Sequence, residues 1–312
     1  MTFPKLARSP GAGVRLGSVR SARPRWLAEF VYVVPALATL ALVLLVPLGM
    51  TAGLSLTSWD GIGPIKWVGP ANYTALIKDP IVLTAMRNAA VMTIFTLAIP
   101  IVVGLTAAIV LSRVGRRLRT LWRTLLFLPA VIAPVVVAVG WRLIYEPTTG
   151  LLNGALTAVG LSSLTHPWLG DFGLALPATG VVATWMEYGL VMVLFLAGIQ
   201  RISPDLYDAA KVDGAHLWAE VRHVTIPALR YELAVACVVT LIDSFRNFDL
   251  IFNLTRGGPG NATVVPVLEV YRRGILHGRV GSASAIGVTV TVILGLLILA
   301  AFALGRPRTD DR

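Results

Sequence analysis

The chain has 312 residues, of which 56% are hydrophobic and only 14% are charged, and its mean hydropathy is +0.76. This composition lies outside the range of soluble globular domains and predicts an all-α integral membrane protein. The formal net charge of +11 does not indicate nucleic-acid binding, because the basic residues lie in one tail and in short loops beside apolar segments, where they orient a membrane protein. Cys237 is the single cysteine, so an intrachain disulfide and a cysteine-rich metal site are excluded.

The N-terminal segment is basic, contains no acidic residue and is rich in glycine, serine and proline. We expect residues 1–26 to form a disordered cytoplasmic tail. The apolar segment that follows is too long for a signal peptide and lacks a small-residue cleavage site, so we interpret it as an uncleaved first span from about Phe30 to Leu54. Residues 27–305 are predicted to form the transmembrane domain, and residues 306–312 a second cytoplasmic tail.

Five further apolar segments can cross a bilayer, which takes about 20 residues as a helix. They run from about 89 to 111, 124 to 145, 174 to 199, 231 to 254 and 283 to 304, which gives six predicted spans. Arginines are dense between 113 and 123, whereas residues 146–173 contain neither lysine nor arginine. Because positive charge is retained in the cytoplasm, the loop at 113–123 is predicted to be cytoplasmic and the loop at 146–173 external. Both termini are then predicted to be cytoplasmic. Residues 255–282 carry four arginines, although this topology places them outside.

A polar segment, named here the island (residues 201–230), separates the fourth and fifth spans. Ser203 is a good N-cap and Pro204 suits the first helical position, so a helix is predicted to begin there and to end at Gly214. A second pattern, with apolar residues at three-to-four-residue spacing, then runs to Pro227. The island is therefore predicted to be two short amphipathic helices joined at a glycine.

The island carries a motif. Its order is Asp208-Ala209-Ala210, three residues, Gly214, nine residues, Val224, one residue, Ile226-Pro227. This order resembles the EAA loop of permease subunits in binding-protein-dependent ABC importers. Asp208 stands where the family has a glutamate, which shortens the reach of the acid. The resemblance covers residues from about 30 to 305 and implies the six-helix fold of a type I ABC importer permease.

Three other segments follow the order of the family. Trp67 to Tyr73 is similar to its FVGLxNY segment, Gly150 to Asn153 to its GLLN turn and Thr255 to Pro259 to its TxGGP turn. Together they resemble the sugar-importer branch, in the half that is similar to the first permease of the maltose and glycerol-phosphate type. The resemblance therefore implies import of a carbohydrate.

The resemblance also implies partners. Such a permease forms a heterodimer with a second permease subunit and works with two ATPase subunits and an extracytoplasmic sugar-binding protein. The chain is expected to bind no cofactor, because ATP and magnesium bind to the ATPase; the sequence has no GxxxxGK[ST] phosphate loop. The residues implied in ATPase coupling are Asp208, Ala209, Ala210, Asp213, Gly214 and Pro227.

Polar residues within spans are costly and are candidates for function. Acids and amides hydrogen-bond sugar hydroxyls, and aromatic rings stack on the apolar face of a sugar. The predicted substrate-binding residues are Glu187, Trp185, Tyr188, Asp243, Ser244 and Asn247. An alternative is that Arg246 pairs with Asp243 or Asp249 and only stabilises the helix bundle. Trp141 and Tyr145 are interpreted as anchors at the membrane interface.

No catalytic constellation is present, since the histidines lie outside any HExxH or paired-cysteine context, and neither an enzyme nor a metal site is predicted. The predicted function is that of a multi-pass permease subunit in a bacterial plasma membrane, translocating a carbohydrate for an ATP-driven importer. The alternative is a self-sufficient secondary transporter of a small polar solute. That class would need a coupling-ion site and often shows internal repeats, and it would leave the island unexplained.

Overall fold

The computed structural model describes residues 25–305, which are almost entirely helical. The helices are α1 (Arg25–Leu40), α2 (Val46–Leu54), α3 (Ala71–Lys78), α4 (Pro80–Thr93), α5 (Ile99–Ser112), α6 (Arg116–Val131), α7 (Pro134–Ile144), α8 (Leu151–Ala158), α9 (Ala175–Ile199), α10 (Pro204–Val212), α11 (Leu217–Glu220), α12 (Ile226–Ala228), α13 (Arg230–Arg246), α14 (Phe248–Leu254), α15 (Pro266–Tyr271) and α16 (Val280–Gly305). Wider π-helical turns occupy Ala41–Leu45, Ile94–Ala98, Val221–Thr225 and Arg272–Leu276, and a 3-10 turn occupies Ser162–Leu164. A short antiparallel ribbon, β1 (Thr57–Ser58) with β2 (Lys66–Trp67), was not predicted. The predicted tails lie outside the described residues, except that α1 already includes Arg25 and Trp26.

Four continuous helical segments are long and apolar enough to cross a membrane, namely Tyr32–Leu54, Pro80–Ser112, Ala175–Ile199 and Val280–Ala303. Two bent pairs also qualify when each is counted as one span: α6 with α7, bent by 95°, and Leu217–Ala228 with α13, bent by 72°. The described residues therefore provide up to six crossings, which agrees with the six predicted spans.

The described residues divide into two compact units, residues 25–49 and residues 50–305. In the first unit, α1 and the turn Ala41–Leu45 carry large apolar side chains that are mostly exposed within the chain, among them Leu42 and Val43. An apolar helix with this exposure is suited to lipid or to another membrane subunit. All features below belong to the second unit.

The second span begins earlier than predicted. A span from about 89 to 111 was expected, but α4, a π-helical turn and α5 form one helix over Pro80–Ser112. The side chain of Asp79 accepts hydrogen bonds from the backbone N–H groups of Ile81 and Val82 and so caps α4. Pro80 takes the first helical position, where its missing N–H costs nothing. The prediction began the span after Arg87 and Asn88 and so left out the first part of α4.

The third span is not one helix. A single segment from about 124 to 145 was predicted, whereas α6 ends at Val131 and α7 begins at Pro134. Ile132 and Ala133 are extended, with ψ angles of 133° and 134°. A residue before proline avoids the helical conformation, so Pro134 explains the extended Ala133 and contributes to the 95° bend.

The fifth span is also interrupted. It was predicted from about 231 to 254, but α13 ends at Arg246 and α14 begins at Phe248. Asn247 between them has φ −67° and ψ 50°, which is outside the helical region. The chain therefore bends at Asn247, directly after Arg246, and this bend forms part of the candidate site.

The centre of the second unit is α9, which packs against α5 and α6 and buries most of its residues. Two glycines of α9 permit this close packing. A Cβ built on Gly180 would lie 2.3 Å from the ring of Phe95, and one on Gly189 would lie 2.5 Å from the carbonyl oxygen of Leu126. Neither position has room for a larger residue, so the crossings of α9 are fixed by these glycines.

The segment 255–282 was predicted to be a loop, but it contains α15 and the turn Arg272–Leu276. Arg273 is buried there; its Nε donates to Glu269 at 2.8 Å and its Nη2 donates to Asp79 at 2.6 Å. Burial alone would raise the pKa of Asp79, but the hydrogen bond from Arg273 and those from backbone N–H groups outweigh it, so the pKa lies below the ordinary 3.8.

These ion pairs bear on the topology. Arg272 and Arg273 both lie beside Glu269, so two of the four arginines in the segment have their charge compensated. Asp79 lies in the loop before the second span, and its contact with Arg273 places the two loops on the same side of the bundle. The predicted topology requires these loops to share a side.

Candidate functional site

The island folds as two helical pieces. The hydroxyl of Ser203 accepts a hydrogen bond from the N–H of Asp205 at 3.3 Å and caps α10, as predicted. The helix ends at Val212, two residues before the predicted end, and Gly214 has φ +77°. Glycine adopts this left-handed conformation without the strain that a Cβ would cause. The second piece comprises α11, the turn Val221–Thr225 and α12, and ends one residue after Pro227.

The coupling residues implied by the resemblance lie on or near the surface of the island. The Asp208 side chain is 69% exposed and forms an ion pair with Lys211, one turn along the same helix, at 3.0 Å. An exposed pair of this kind contributes little to stability, so the carboxylate remains available to another protein. Ala209, Asp213 and Gly214 are exposed, and Ala210 and Pro227 are half-buried.

Large apolar side chains are also exposed on the island, two of them on the same helix as Asp208. They are Leu206, Val212, Leu217 and Trp218, and they are named here the docking surface. Its members come from both helical pieces of the island. Leu217 and Trp218 were recognised in the sequence only as part of the helical pattern. Exposed apolar side chains together with an acid have the chemistry of a protein interface.

A polar cavity of about 200 Å³ lies where α9 meets the bend between α13 and α14. Three predicted substrate-binding residues line it: Glu187 from α9, Asp243 from α13 and Asn247 at the bend. Arg246 and Asp249 line it as well and were weighed in the sequence only as a structural ion pair. No ion pair within the described residues includes Arg246. The cavity therefore contains three carboxylates and one guanidinium group.

Asn247 is the most informative residue of the cavity. Its side-chain Nδ2 is buried and has no hydrogen-bond partner among the described residues. A buried donor without a partner costs about 1–3 kcal/mol, so such groups are rare unless a ligand or water completes them. The fold thus holds a free donor at the edge of a polar cavity.

The other predicted substrate-binding residues lie elsewhere. Ser244 is buried and its hydroxyl is 2.7 Å from the hydroxyl of Thr93, so it joins α13 to α4. Trp185 packs edge-on against Trp141 with 5.8 Å between ring centroids, and Tyr188 lies near the crossing of α9 with Gly104 of α5. None of the three lines the cavity, so the predicted aromatic wall is not formed there.

The interpretation of Trp141 and Tyr145 as interface anchors is corrected by the structure. Tyr145 is buried and its hydroxyl donates to the carbonyl oxygen of Ala178 at 3.1 Å. Trp141 packs against both Tyr145 and Trp185. These rings form part of the packed core around the start of α9.

The membrane-spanning helices and the polar cavity within them are typical of a membrane transport subunit. Comparison with known proteins agrees. The family described as "Binding-protein-dependent transport system inner membrane component" matches residues 100–310. The chain belongs to this family and is a transport subunit of ABC importers, not an enzyme.

Two relatives show the extent of the likeness. The "Probable ABC transporter permease protein YurN" of Bacillus subtilis (strain 168) is 35% identical over 285 residues, which are 90% of this chain and 97% of that protein. The "Diacetylchitobiose uptake system permease protein NgcF" of Streptomyces coelicolor is 30% identical over 283 residues, covering 86% and 80%. The family match over residues 100–310 includes the polar cavity and the island.

A solved structure shares the fold. It is a chain of a bacterial ABC transporter described as "involved in the import of the acidic polysaccharide alginate". The TM-score is 0.78 at 25% identity, covering 92% of this chain and 97% of that one. The predicted all-α permease fold is confirmed by this likeness.

Proposed function

We propose that this chain forms one half of the translocation path for a carbohydrate in an ATP-driven importer of a bacterial plasma membrane. Two observations support the carbohydrate: the names of NgcF and of the solved neighbour refer to saccharides, and the cavity offers several hydrogen-bonding groups. Sugar recognition relies on acids and amides at fixed positions. The single observation that carries the proposal is the buried, unpartnered Nδ2 of Asn247 at the cavity.

The proposed contacts follow from the side chains. Nδ2 of Asn247 donates to a sugar oxygen, and the carboxylates of Glu187 and Asp243 accept hydrogen bonds from hydroxyl groups. The same charges narrow the class of sugar. With three carboxylates and one guanidinium group, the cavity favours a neutral sugar or an amino sugar and disfavours a uronate or a sugar phosphate. The substrate of this chain would then differ in charge from alginate.

The proposed assembly contains a second permease subunit, two ATPase subunits and an extracytoplasmic sugar-binding protein, with both termini of this chain in the cytoplasm. ATP and magnesium bind to the ATPase. Asp208 and the docking surface contact the ATPase, with Ala209 and Ala210 allowing close approach. The exposure of Asp208 and of Trp218 supports this role. The Trp218 ring is mostly exposed, and the Asp208 carboxylate forms one ion pair, with Lys211 on the surface.

The assembly is tested by isolating tagged chain from its native membrane, as wild type and as Gly214→Trp. A tryptophan at φ +77° strains the turn between the two helical pieces, so we expect the ATPase to be lost selectively from the variant. Recovery of the chain alone in both preparations would favour the secondary transporter. Recovery of equal ATPase with both would refute the role of the island.

The site is tested with the isolated assembly in proteoliposomes. Uptake of N,N′-diacetylchitobiose, cellobiose and digalacturonate is compared for wild type, Glu187→Gln and Asn247→Ala. Loss of a hydrogen bond to a charged group costs about 1.5–3 kcal/mol, so Glu187→Gln should lower uptake efficiency roughly ten- to hundredfold. Asn253→Ala in α14 is the matched control, since Asn253 bonds only to a backbone oxygen of its own helix. Unchanged uptake in both site variants would refute this location, and digalacturonate as the preferred sugar would refute the charge argument.

A further inference from the structure

An ion pair between Arg113, whose side chain is 48% exposed, and the buried Glu220 joins the island to the end of α5. Nη2 of Arg113 donates to Oε2 of Glu220 at 2.7 Å, and the Glu220 side chain is only 7% exposed. Within the described residues, the island has one other ion pair with a span, Arg201 with Glu232 of α13 at 3.9 Å. The Arg113–Glu220 pair is the shorter and less exposed of the two. Neither residue belongs to the coupling motif or to the polar cavity.

The turn that carries Arg113 is held by hydrogen bonds at the end of α5. Arg113 is the residue that directly follows α5, and Arg119 in the next helix folds back over the end of α5. The guanidinium group of Arg119 donates to the carbonyl oxygens of Leu111, Ser112 and Val114 at 2.9–3.0 Å. These bonds satisfy carbonyl groups that the end of a helix leaves free. Arg113 therefore moves with α5.

Glu220 is likewise held within the island by hydrogen bonds. Glu220 ends α11, and its backbone oxygen lies 3.5 Å from the hydroxyl of Thr225. That hydroxyl is also 3.1 Å from the hydroxyl of Tyr207 in α10. Both helical pieces of the island are thus tied to the element that carries Glu220, so a displacement of either piece displaces the carboxylate.

Packing between α5 and the island is incomplete around this pair. A cavity of about 410 Å³ is lined by residues of α5, α6 and the island, including Arg113 and Glu220. Farther along, α5 crosses α9 tightly: a Cβ on Gly104 would lie 2.9 Å from the backbone N of Met192 and 3.0 Å from the oxygen of Tyr188. Helix α5 is therefore loosely packed against the island and tightly packed against α9, next to Glu187 in the sequence.

We propose that the Arg113–Glu220 pair is a positioning element for energy coupling. It transmits displacement of the island to the end of α5, and the α5–α9 crossing passes it to the part of α9 that carries Glu187. The inference rests on the proposed function, because the displacement originates at a docked ATPase. A pair with one buried member suits this role, since a carboxylate withdrawn from water keeps its partner in one position.

The test measures sugar transported per ATP hydrolysed by the complete assembly in proteoliposomes. Glu220→Gln keeps the size of its side chain and Arg113→Gln shortens it; each variant removes one charge. We expect each to lower the transport-to-hydrolysis ratio at least fivefold while hydrolysis per assembled complex stays within twofold of wild type. The exchange Arg113→Glu with Glu220→Arg should restore the ratio to within about twofold. A merely structural pair would lower the amount of complex and leave the ratio unchanged.

Arg117→Gln is the matched control, because Arg117 is exposed on α6 and has no ion pair within the described part of the chain. Its ratio should equal that of wild type. Wild-type ratios in both glutamine variants would overturn the inference while leaving the proposed function intact. If the charge exchange does not assemble, the two glutamine variants decide. A wild-type assembly that transports no sugar at the expense of ATP would refute the proposed function itself.

Discussion

Replacing Arg273 by methionine should destabilise the protein more than any other arginine replacement in residues 255–282. The Arg273 side chain is 10% exposed, and its two carboxylate partners, Glu269 and Asp79, are 7% and 28% exposed. Removing one partner of a buried ion pair costs about 3–5 kcal/mol, because the remaining charges lose their compensation. For a chain of this size about 1 kcal/mol lowers the melting temperature by roughly 2 °C, so a decrease of about 6–10 °C is expected.

The assay is thermal unfolding of the purified chain in detergent at one fixed heating rate, since irreversible unfolding makes the apparent melting temperature depend on that rate. Arg279→Met is the control: Arg279 is exposed in the same segment and no ion pair within the described residues includes it. Adding Asp79→Asn and Glu269→Gln to Arg273→Met should recover most of the loss. A decrease below 2 °C, or one equal to that of Arg279→Met, would refute the reasoning.

Two further outcomes are expected. The pKa of Asp79 is lower in the folded protein than its ordinary 3.8, so its ionised form stabilises the fold above that pH, and this contribution is lost as pH falls through the folded pKa. Melting temperatures of wild type and Asp79→Asn should therefore differ at pH 6 and converge below about pH 3.8; a constant difference would contradict this cause. Gly189→Leu should force α6 from α9, because its Cβ would lie 2.5 Å from a backbone oxygen, and should cost about 1–3 kcal/mol or more. Gly287→Leu should not destabilise the protein in this way, because a Cβ at Gly287 would have open space around it. Similar melting temperatures for the two variants would contradict the packing argument.

Local signals in the sequence predicted local structure well. The cap at Ser203, the turn at Gly214 and the two amphipathic pieces of the island all follow from spacing and capping rules that act over a few residues. Hydropathy predicted where chain crosses the membrane because it averages over about 20 residues. The same averaging hides bends, and so the breaks at Ala133 and Asn247 were missed.

The contacts that were missed join residues far apart in the chain. Arg113 with Glu220 and Arg273 with Asp79 are separated by 107 and 194 positions. A single sequence gives no signal for such pairs, because any acid in a loop is an equally good partner. In the polar cavity, residue type pointed to Glu187, Asp243 and Asn247, whereas the direction of each side chain depends on the bend after α13. Trp185, Tyr188 and Ser244 were predicted from residue type and from their place in the fourth and fifth spans, which do not give the direction of a side chain.

The helical segment Pro80–Ser112 has a mechanical consequence. Its 33 residues span about 50 Å, well beyond the roughly 30 Å of the hydrocarbon core. Asp79 joins one end to the turn Arg272–Leu276 through Arg273, and Arg113 joins the other end to the island. A rod held at both ends and gripped by α9 near its middle acts as a lever: a tilt of roughly 10° moves each end by about 4 Å in opposite directions. Displacements at the Pro80 end and at the Ser112 end would then be coupled. A ligand that immobilises the Pro80 end should therefore also restrict displacement of the Ser112 end.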